Sequence, residues 1–396
     1  MLFQLYRFYT LVLTVTLLFG DCHSASFQEI GQGIADVGKS AKDVSIGVAK
    51  DVINSIPSPQ QIFESSKNAL LAFPIEVIFS AVNQLCSSAL SSQAVKPRET
   101  PDLQQLHFQF HTICSTYNYS ILEFNRIVNN PEFDPKKPVV ILATGWRTTI
   151  NDSSTIVEFA KAFNCRGDSN FVAVDAAYFV DTLYTWSALN TDEIGANIAE
   201  GLVLLTEIIP IENIHLMGHS LGSHIMGAAG RHFYYKTGKL IPRITALDPA
   251  KPCFNEGESL SGIMRGDAEF VDVIHSDPGI LGKRDPTGDV DFYPGGLGPL
   301  PKGCYDMGCA HSRSWQYYAE TIYPGNEFSF MAVRCNSLTQ LQQNKCPGVQ
   351  VPMGYATPTN LKGNYFLEVN AESPFGKQSS AELLELQKNC GLCQKA

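Results

Sequence analysis

A serine set between two glycines is the part of this sequence best suited to covalent chemistry. The segment Gly218-His219-Ser220-Leu221-Gly222 follows the apolar run Ile214–Met217 and precedes residues that can continue as a helix. A serine in a tight strand-to-helix turn presents its hydroxyl clear of the sheet, and the flanking glycines leave room for the neighbouring backbone. The amide of Leu221, at the positive end of the new helix, points to where an oxyanion would form. The pattern therefore predicts a nucleophile elbow for acyl transfer.

A nucleophilic serine needs a base and an acidic group that orients the base. Asp248 follows an apolar run, which places it at the carboxyl edge of a sheet, where ligands bind in open α/β folds. An aspartate at the end of a strand can equally be an ordinary turn residue. His275 and His311 both follow Asp248, as the chain order of α/β hydrolases requires, and their spacing does not decide between them. Three other histidines precede the acid and are interpreted as structural: His215, His219 and His224.

Strands that alternate with helices must position these side chains. Six apolar runs are strand candidates: Phe108–Ile113, Val139–Thr144, Phe171–Val174, Ile214–Met217, Ile244–Leu247 and Phe270–Ile274. Helical patterns lie between them, and Thr191 can cap the longest helix, which ends before Pro210. The alternation predicts an α/β protein whose mostly parallel central sheet is flanked by helices.

The composition fits an acidic globular protein with a large core. Of 396 residues 44% are hydrophobic, and the net charge of -10 argues against nucleic-acid binding and against attraction to anionic membranes. Arg166-Gly167-Asp168 spells an adhesion tripeptide, which chance explains better than function.

The first hundred residues predict export. Residues 1–24 have the pattern of a secretory signal peptide, whose apolar part is too short for a transmembrane anchor. Residues 25–103 predict a helical N-terminal extension or propeptide. Removal of the signal leaves ten of the 11 cysteines, an even number that suits disulfides in a secreted, extracellular protein. Asn118 and Asn151 begin glycosylation sequons, which agree with that route.

Five motifs in this order resemble the pancreatic lipase family: Gly218–His224, Ala246–Phe254, Phe270–Asp277, Val290–Gly296 and Cys309–Arg313. Within the family the chain is similar to the insect neutral lipase and phospholipase A1 branch. The resemblance implies an α/β-hydrolase fold over residues 104–376, with a C-terminal tail at 377–396. It implies a catalytic triad of Ser220, Asp248 and His311, and assigns His275 to a structural motif. It also implies backbone oxyanion donors at Leu221 and Trp146, although Thr144 departs from the family pattern beside the second.

The same resemblance implies hydrolysis of glycerolipid esters at a lipid–water interface without a cofactor. It pairs Cys304 with Cys309 and Cys335 with Cys346, and leaves the partners of six cysteines open: Cys86, Cys114, Cys165, Cys253, Cys390 and Cys393. Cys390-Gly391-Leu392-Cys393 is interpreted as structural rather than redox-active.

Departures from the family narrow the expected activity. Only four residues separate Cys304 from Cys309, so the lid of the gut triglyceride lipases is nearly absent, and the loop after His275 is short. The colipase-binding β-sandwich is also absent from the sequence, so no colipase is expected. These features favour phospholipase A1. Neutral triacylglycerol lipase, galactolipase and a non-catalytic lipid-binding or storage role like that of yolk proteins are the alternatives.

No family-type metal ion is expected. Calcium prefers several hard oxygen ligands. The segment that supplies them in the family, Ser259–Asp267, keeps only Asp267 as a carboxylate, with Arg265 nearby.

Overall fold

The chain divides into two units, Met1–Val95 and Lys96–Ala396. The computed structural model describes residues 103–145, 154–176, 184–254, 260, 262–298 and 300–393, all in the second unit. The predicted signal peptide and all but the last residue of the predicted extension lie outside these ranges, so both boundaries stay predictions. Among the described helices, none is long and apolar enough to cross a membrane.

The described residues contain one eleven-stranded mixed sheet, in the order β10-β9-β11-β8-β7-β6-β5-β3-β4-β1-β2. Seven neighbouring strands, from β11 to β4, run parallel, and two antiparallel strands extend the sheet at each edge. The strands are β1 His107–His111, β2 Thr116–Ser120, β3 Val139–Ala143, β4 Asn170–Asp175, β5 Ile214–His219, β6 Arg243–Leu247, β7 Phe270–Ile274, β8 Val290–Pro294, β9 Met331–Cys335, β10 Gln350–Pro352 and β11 Gly363–Leu367.

Burial explains the pattern of residue types along the strands. All five residues of β3 are buried, as are those of β7, because strands in the middle of a parallel sheet are covered on both faces. The edge strand β2 instead alternates exposed and half-buried positions along most of its length. All six strand candidates are present, and the predicted α/β-hydrolase fold is confirmed.

Helices flank the sheet. They are α1 Ser154–Arg166, α2 Tyr184–Leu189, α3 Thr191–Leu205, α4 Leu221–Thr237, α5 Met307–Ile322, α6 Leu338–Gln342 and α7 Leu383–Asn389, with 3-10 turns at Leu103–Gln105, Ile121–Asn129 and Ile211–Asn213. α1 and α5 share a core with alternate residues of β3, Val140 and Leu142. α3 and α4 pack against each other as a second pair.

The predicted cap of α3 is wrong by one residue. Asn190 occupies the N-cap position and makes no side-chain cap bond, whereas Thr191 is the first helical residue. Because α2 ends immediately before α3, the Thr191 hydroxyl donates back to the carbonyl of Ala188, 2.9 Å away. The longest described helix is α4, with 17 residues, rather than α3.

The C-terminal segment is attached to the domain more firmly than the expectation of a tail at 377–396 suggested. Leu383, the first residue of α7, is fully buried in the core. Cys393 forms a disulfide with Cys114, and Cys390 forms one with Cys165. Each cysteine of the Cys390–Cys393 motif therefore joins a different distant segment, which agrees with a structural interpretation of the motif.

Candidate active site

Ser220 lies in a sharp turn between β5 and α4, where the sequence predicts an elbow. Its backbone is left-handed, with φ 56° and ψ -122°, a conformation that a non-glycine residue rarely adopts. The surrounding backbone is so close that a Cβ on Gly218 would lie 2.4 Å from the carbonyl oxygen of Gly222. A Cβ on Gly222 would lie 2.2 Å from the carbonyl oxygen of Ala143. The two glycines are thus needed for space around a strained serine.

Two backbone segments lie beside the Ser220 side chain. Leu221 begins the 17-residue helix α4, so its amide stands at the positive end of the helix dipole. Gly145 comes shortly after β3 and lies against Ser220. A Cβ on Gly145 would lie 2.5 Å from the serine Cβ. The predicted second oxyanion donor, Trp146, is the next residue and lies outside the described residues.

Asp248 and His311 meet on the same side of the sheet. Asp248 follows β6 and is fully buried, and its Oδ2 lies 2.6 Å from Nδ1 of His311, near the start of α5. The other carboxylate oxygen, Oδ1, accepts hydrogen bonds from the amides of Ser276 and Asp277 at 2.9 and 3.1 Å. These donors fix the carboxylate and leave Oδ2 to orient the imidazole.

The structure separates the two candidate histidines. His275 is fully buried, with its ring nitrogens 2.7 Å from the Lys283 carbonyl and 2.8 Å from Asp291. Its ring also stacks on Tyr293, with 4.4 Å between ring centroids. Both nitrogens are therefore engaged away from Asp248, as the structural assignment requires.

No hydrogen bond joins Ser220 and His311, although both lie in the part of the chain that the structure describes. His219, the residue before the serine, places its Nε2 3.3 Å from the His311 carbonyl, and the two rings are 4.8 Å apart. Catalytic hydrogen bonds are often long without substrate and tighten when it binds. The arrangement is therefore compatible with transfer of the serine proton to His311.

The three histidines around the elbow have structural roles. Nε2 of His215 lies 2.8 Å from Thr245, and Nε2 of His224 lies 2.7 Å from the Ala250 carbonyl. Burial lowers the pKa of His219 to about 3, and the proximity of His311 acts in the same direction. His219 is therefore neutral at physiological pH, and it supports the backbone of His311 without competing for its proton.

The segment Ser259–Asp267 corresponds to the one that supplies the calcium ligands in the family. Its described residues do not fit a metal ion. Asp267 is buried and accepts from Arg231 Nη1 at 2.8 Å and from the Met264 amide at 2.9 Å. The same Nη1 atom donates to the carbonyl of Gly262 at 3.1 Å. Because the Arg231 guanidinium already binds Oδ2 of Asp267 and the carbonyl oxygen of Gly262, this donor set does not suit calcium. Ser259 and Ser261 lie outside the described residues.

Two disulfides have the implied pairing, Cys304–Cys309 and Cys335–Cys346. The first closes a short loop at the start of α5, the helix that carries His311. Tyr305, inside that loop, is 94% exposed. Cys253 is also disulfide-bonded.

Two other sequence features have different outcomes. Arg166 of the adhesion tripeptide is bound to Glu327 at 2.6 Å and to Asp168 at 2.7 Å, and lies over the ring of Tyr355. It therefore braces the fold instead of extending from a free loop. Asn118 is exposed on the edge strand β2, so glycosylation there stays a prediction, and Asn151 lies outside the described residues.

A cavity of about 450 Å³ opens at the opposite edge of the sheet, by the amino ends of β3, β5, β6 and β7. Arg243 lines it but is already bound to Asp272 through two nitrogens, at 2.8 and 2.9 Å. Ligands of open α/β sheets bind at the carboxyl ends of the strands, where Ser220 and Asp248 lie. The chemistry therefore belongs to the elbow edge and not to this cavity.

Comparisons with known proteins agree with this geometry. A family model described as Lipase matches residues 78–375. Vitellogenin-1 of Ceratitis capitata is 39% identical over 215 residues, which cover 54% of this chain and 49% of that protein. Pancreatic lipase-related protein 2 of Rattus norvegicus is 37% identical over 204 residues, covering 45% and 42%. Lipoprotein lipase of Rattus norvegicus is 32% identical over 246 residues, covering 55% and 50%.

The chain spans about half the length of these curated relatives. The family match, in contrast, extends over most of the chain and includes the elbow, the acid and the helix that carries His311. On this match, and on the sheet and elbow described above, the chain belongs to the lipase family.

Proposed function

We propose that the protein is a serine carboxylic ester hydrolase that acts on glycerolipids through Ser220, His311 and Asp248. Membership of the lipase family supports lipid ester hydrolysis as the general chemistry. The observation that carries the proposal is the 2.6 Å bond from buried Asp248 to His311, beside a serine in a strained elbow. A buried carboxylate that orients an imidazole next to a serine hydroxyl is the arrangement that activates a nucleophile.

The reaction begins when His311 takes the proton of Ser220 as the serine oxygen attacks the ester carbonyl. The carbonyl oxygen becomes an oxyanion, which the amides of Leu221 and Trp146 stabilise, each such donor contributing a factor of about 100 to 1,000 in rate. His311, held by Asp248, then protonates the departing alcohol, and the acyl group remains on Ser220. Water attacks this ester by the same route, which releases the fatty acid and restores the serine.

A fluorophosphonate probe tests the nucleophile. The wild type should be labelled, whereas Ser220→Ala should remain unlabelled with an unchanged melting temperature. His311→Asn should also lose labelling and stay folded. The matched control is His275→Asn, which should lower the melting temperature because both ring nitrogens of this buried histidine are bonded. A folded wild type that refuses the probe would refute the proposed triad.

Among glycerolipids, the preferred substrate of this proposal is the sn-1 ester of a phospholipid. The Cys304–Cys309 loop contains too few residues to cover the serine. The segment after His275 is also short, and it is held against residues 249–251, because the Lys283 amide donates to the Pro249 carbonyl and the Lys251 amide donates to the Leu281 carbonyl. An open mouth lets a polar headgroup stay in water while one acyl chain enters the apolar groove, which reduces the desolvation cost.

The substrate is tested with phosphatidylcholine vesicles and emulsified triolein, with the lysolipid isomer identified. Faster release of fatty acid from the vesicles, with 2-acyl lysolipid as first product, is expected. Faster release from triolein would favour the neutral lipase, and an sn-2 fatty acid as first product would exclude phospholipase A1. Faster turnover of a galactolipid than of either phosphatidylcholine or triolein would favour the galactolipase alternative.

A second candidate function is lipid binding or storage without catalysis. The similarity to Vitellogenin-1 favours it. The bond between His311 and Asp248, together with a serine in a strained elbow, favours an enzyme instead. The probe experiment separates the two, because a binding protein would stay unlabelled while it retains lipid.

A further inference from the structure

Gly282 lies directly against the carboxylate of Asp248, although 34 positions separate the two residues. A Cβ on Gly282 would lie 2.3 Å from Oδ1 and 2.5 Å from both Cγ and Oδ2. These three atoms of Asp248 are its nearest neighbours. Gly282 is not among the glycines with positive φ, so its backbone conformation does not itself require glycine. The residue is glycine because the carboxylate of Asp248 occupies the space of a side chain.

The backbone around Gly282 cannot easily retreat. The amide of Lys251 donates to Leu281 at 2.7 Å, and the amide of Lys283 donates to Pro249 at 2.8 Å. These bonds flank an antiparallel bridge between Ala250 and Gly282. Movement of Gly282 away from Asp248 would therefore break two hydrogen bonds.

The same bridge reaches the nucleophile. The amide of Ala250 contacts the carbonyl of Ser220 at 3.3 Å, and the Ala250 carbonyl binds His224 at 2.7 Å. Displacement of the bridge would thus disturb the elbow as well as the acid.

The carboxylate would therefore be displaced instead, at the expense of its bonds to the Ser276 and Asp277 amides and to His311. The backbone of Asp248 is itself left-handed, with φ 45°, and its amide donates to Ile274 at 2.7 Å. A methyl group at position 282 would rotate the side chain about this fixed backbone. Rotation would remove Oδ2 from Nδ1 of His311.

We propose that Gly282 is a positioning residue of the ester hydrolase, which acts through Asp248 by holding its carboxylate in line with His311. This inference rests on the proposed function. The segment Asp277–Lys283 then serves as a cover that encloses the catalytic acid.

The first test measures steady-state hydrolysis of a soluble short-chain p-nitrophenyl ester. Gly282→Ala should lower kcat about 100-fold or more with KM nearly unchanged, because only the transition state uses the oriented imidazole. Gly298→Ala is the matched control, since a Cβ there would meet nothing within 4 Å. Wild-type kcat in folded Gly282→Ala would overturn the inference, whereas an inactive wild type would overturn the proposed function.

The second test is a double-mutant cycle with Asp248→Ala, which removes the atoms that the new methyl group would meet. Asp248→Ala alone should lower kcat about 10,000-fold, and adding Gly282→Ala should lower it no further. Gly282→Ala should lower the melting temperature when Asp248 is present and leave it unchanged when Ala replaces Asp248. This readout remains decisive if Gly282→Ala alone does not fold, because the double variant should then fold. Independent, multiplying effects, or a double variant that stays unfolded, would contradict the inference.

Discussion

Tyr317 and Tyr323 are among the core tyrosines whose buried hydroxyl groups have no partner among the described residues. Burial raises the pKa of both phenols, so both stay neutral. An unpaired buried hydroxyl has lost its bond to water and gained none, so its removal costs little. Tyr317→Phe and Tyr323→Phe should change the free energy of unfolding by less than about 0.5 kcal/mol, or raise it.

Tyr293→Phe is the matched control for this prediction. The Tyr293 hydroxyl is buried too, but it donates to the Arg284 carbonyl at 2.9 Å, so its loss should cost about 1 kcal/mol. Urea denaturation of the three variants measures the difference. A larger loss for Tyr317→Phe than for Tyr293→Phe would indicate a bound water as its partner.

His224 makes stability depend on pH. Its Nδ1 accepts from the Ile263 amide at 3.0 Å and its Nε2 donates to Ala250, so the ring is neutral. Burial lowers its pKa from 6.5 to about 3, and nearby Lys283 and Arg231 add to the shift against the opposing Ala250 bond. Between these two values the unfolded chain binds a proton that the folded chain does not. The stabilisation is therefore complete above pH 6.5 and is lost as the pH falls toward 3.

The variant His224→Gln tests this dependence. It removes the titrating ring. Below pH 6.5 the free energy of unfolding of the variant should therefore fall less steeply than that of the wild type, the two slopes differing by about 1.4 kcal/mol per pH unit. Urea denaturation at a series of pH values measures both slopes. Parallel slopes for the variant and the wild type would refute the assignment.

The site residues differ in how much sequence reasoning reveals about them. Ser220 carries a local signal, because glycine spacing and the strand-to-helix pattern describe one continuous turn. The choice between His275 and His311 has no such signal, since it depends on which ring reaches Asp248 after the strands have paired. Gly282 is the extreme case, because its role arises only from contact with a residue far away in the chain.

At the scale of the element, the helix that carries His311 depends on one capping side chain. Asp306 is the N-cap of α5, and its carboxylate accepts from the Cys309 amide at 2.8 Å. Asp306→Ala should lower the free energy of unfolding by about 1 kcal/mol, because the amide loses its acceptor. Asp306→Asn keeps an acceptor oxygen and should cost much less. Chemical denaturation compares them, and equal losses would show that charge rather than capping stabilises the helix start.

Six of the eleven described strands could be predicted because each has a strong local pattern. Central strands such as β3 are continuous apolar runs, and the structure buries every residue of β3. The cap of α3 could not be placed to the residue, because α2 ends immediately before it and redirects the Thr191 hydroxyl. Five strands are not among the candidates, because none of them is a continuous apolar run: β2, β8, β9, β10 and β11.

In the whole molecule, the disulfides that hold the C-terminal segment should stabilise the folded state far more than Cys304–Cys309 at the start of α5. While Cys165–Cys390 stays closed, Cys114–Cys393 still closes a loop of about 50 residues in the unfolded chain. The lost chain entropy should raise the free energy of unfolding by about 4 kcal/mol. Cys304–Cys309 spans only 5 positions, so it should raise the free energy of unfolding by only about 2 kcal/mol. Paired Cys→Ser variants, compared by urea denaturation, measure both. Equal losses would mean that strain or residual structure outweighs chain entropy.

These pairings could not be predicted from the residues alone, since six cysteines of open partnership allow many combinations. Cys114 and Cys393 meet because β1, β2 and α7 lie at one place in the fold, which is a property of the complete sheet. The resemblance implies a tail at 377–396 because the family's catalytic domain ends before it, whereas Leu383 in this segment is fully buried.

The bond between Cys114 and Cys393 also determines how the domain responds to mechanical load. The two cysteines are 279 positions apart in the chain, but their Cα atoms are 4.8 Å apart. A pulling force applied to the two ends therefore passes from β1 into one covalent bond, and the ten described strands between the two cysteines, β2 to β11, carry no tension. In an optical trap the oxidised protein should show almost no extension from this region. After reduction the same molecule should lengthen by about 900 Å as the enclosed chain extends.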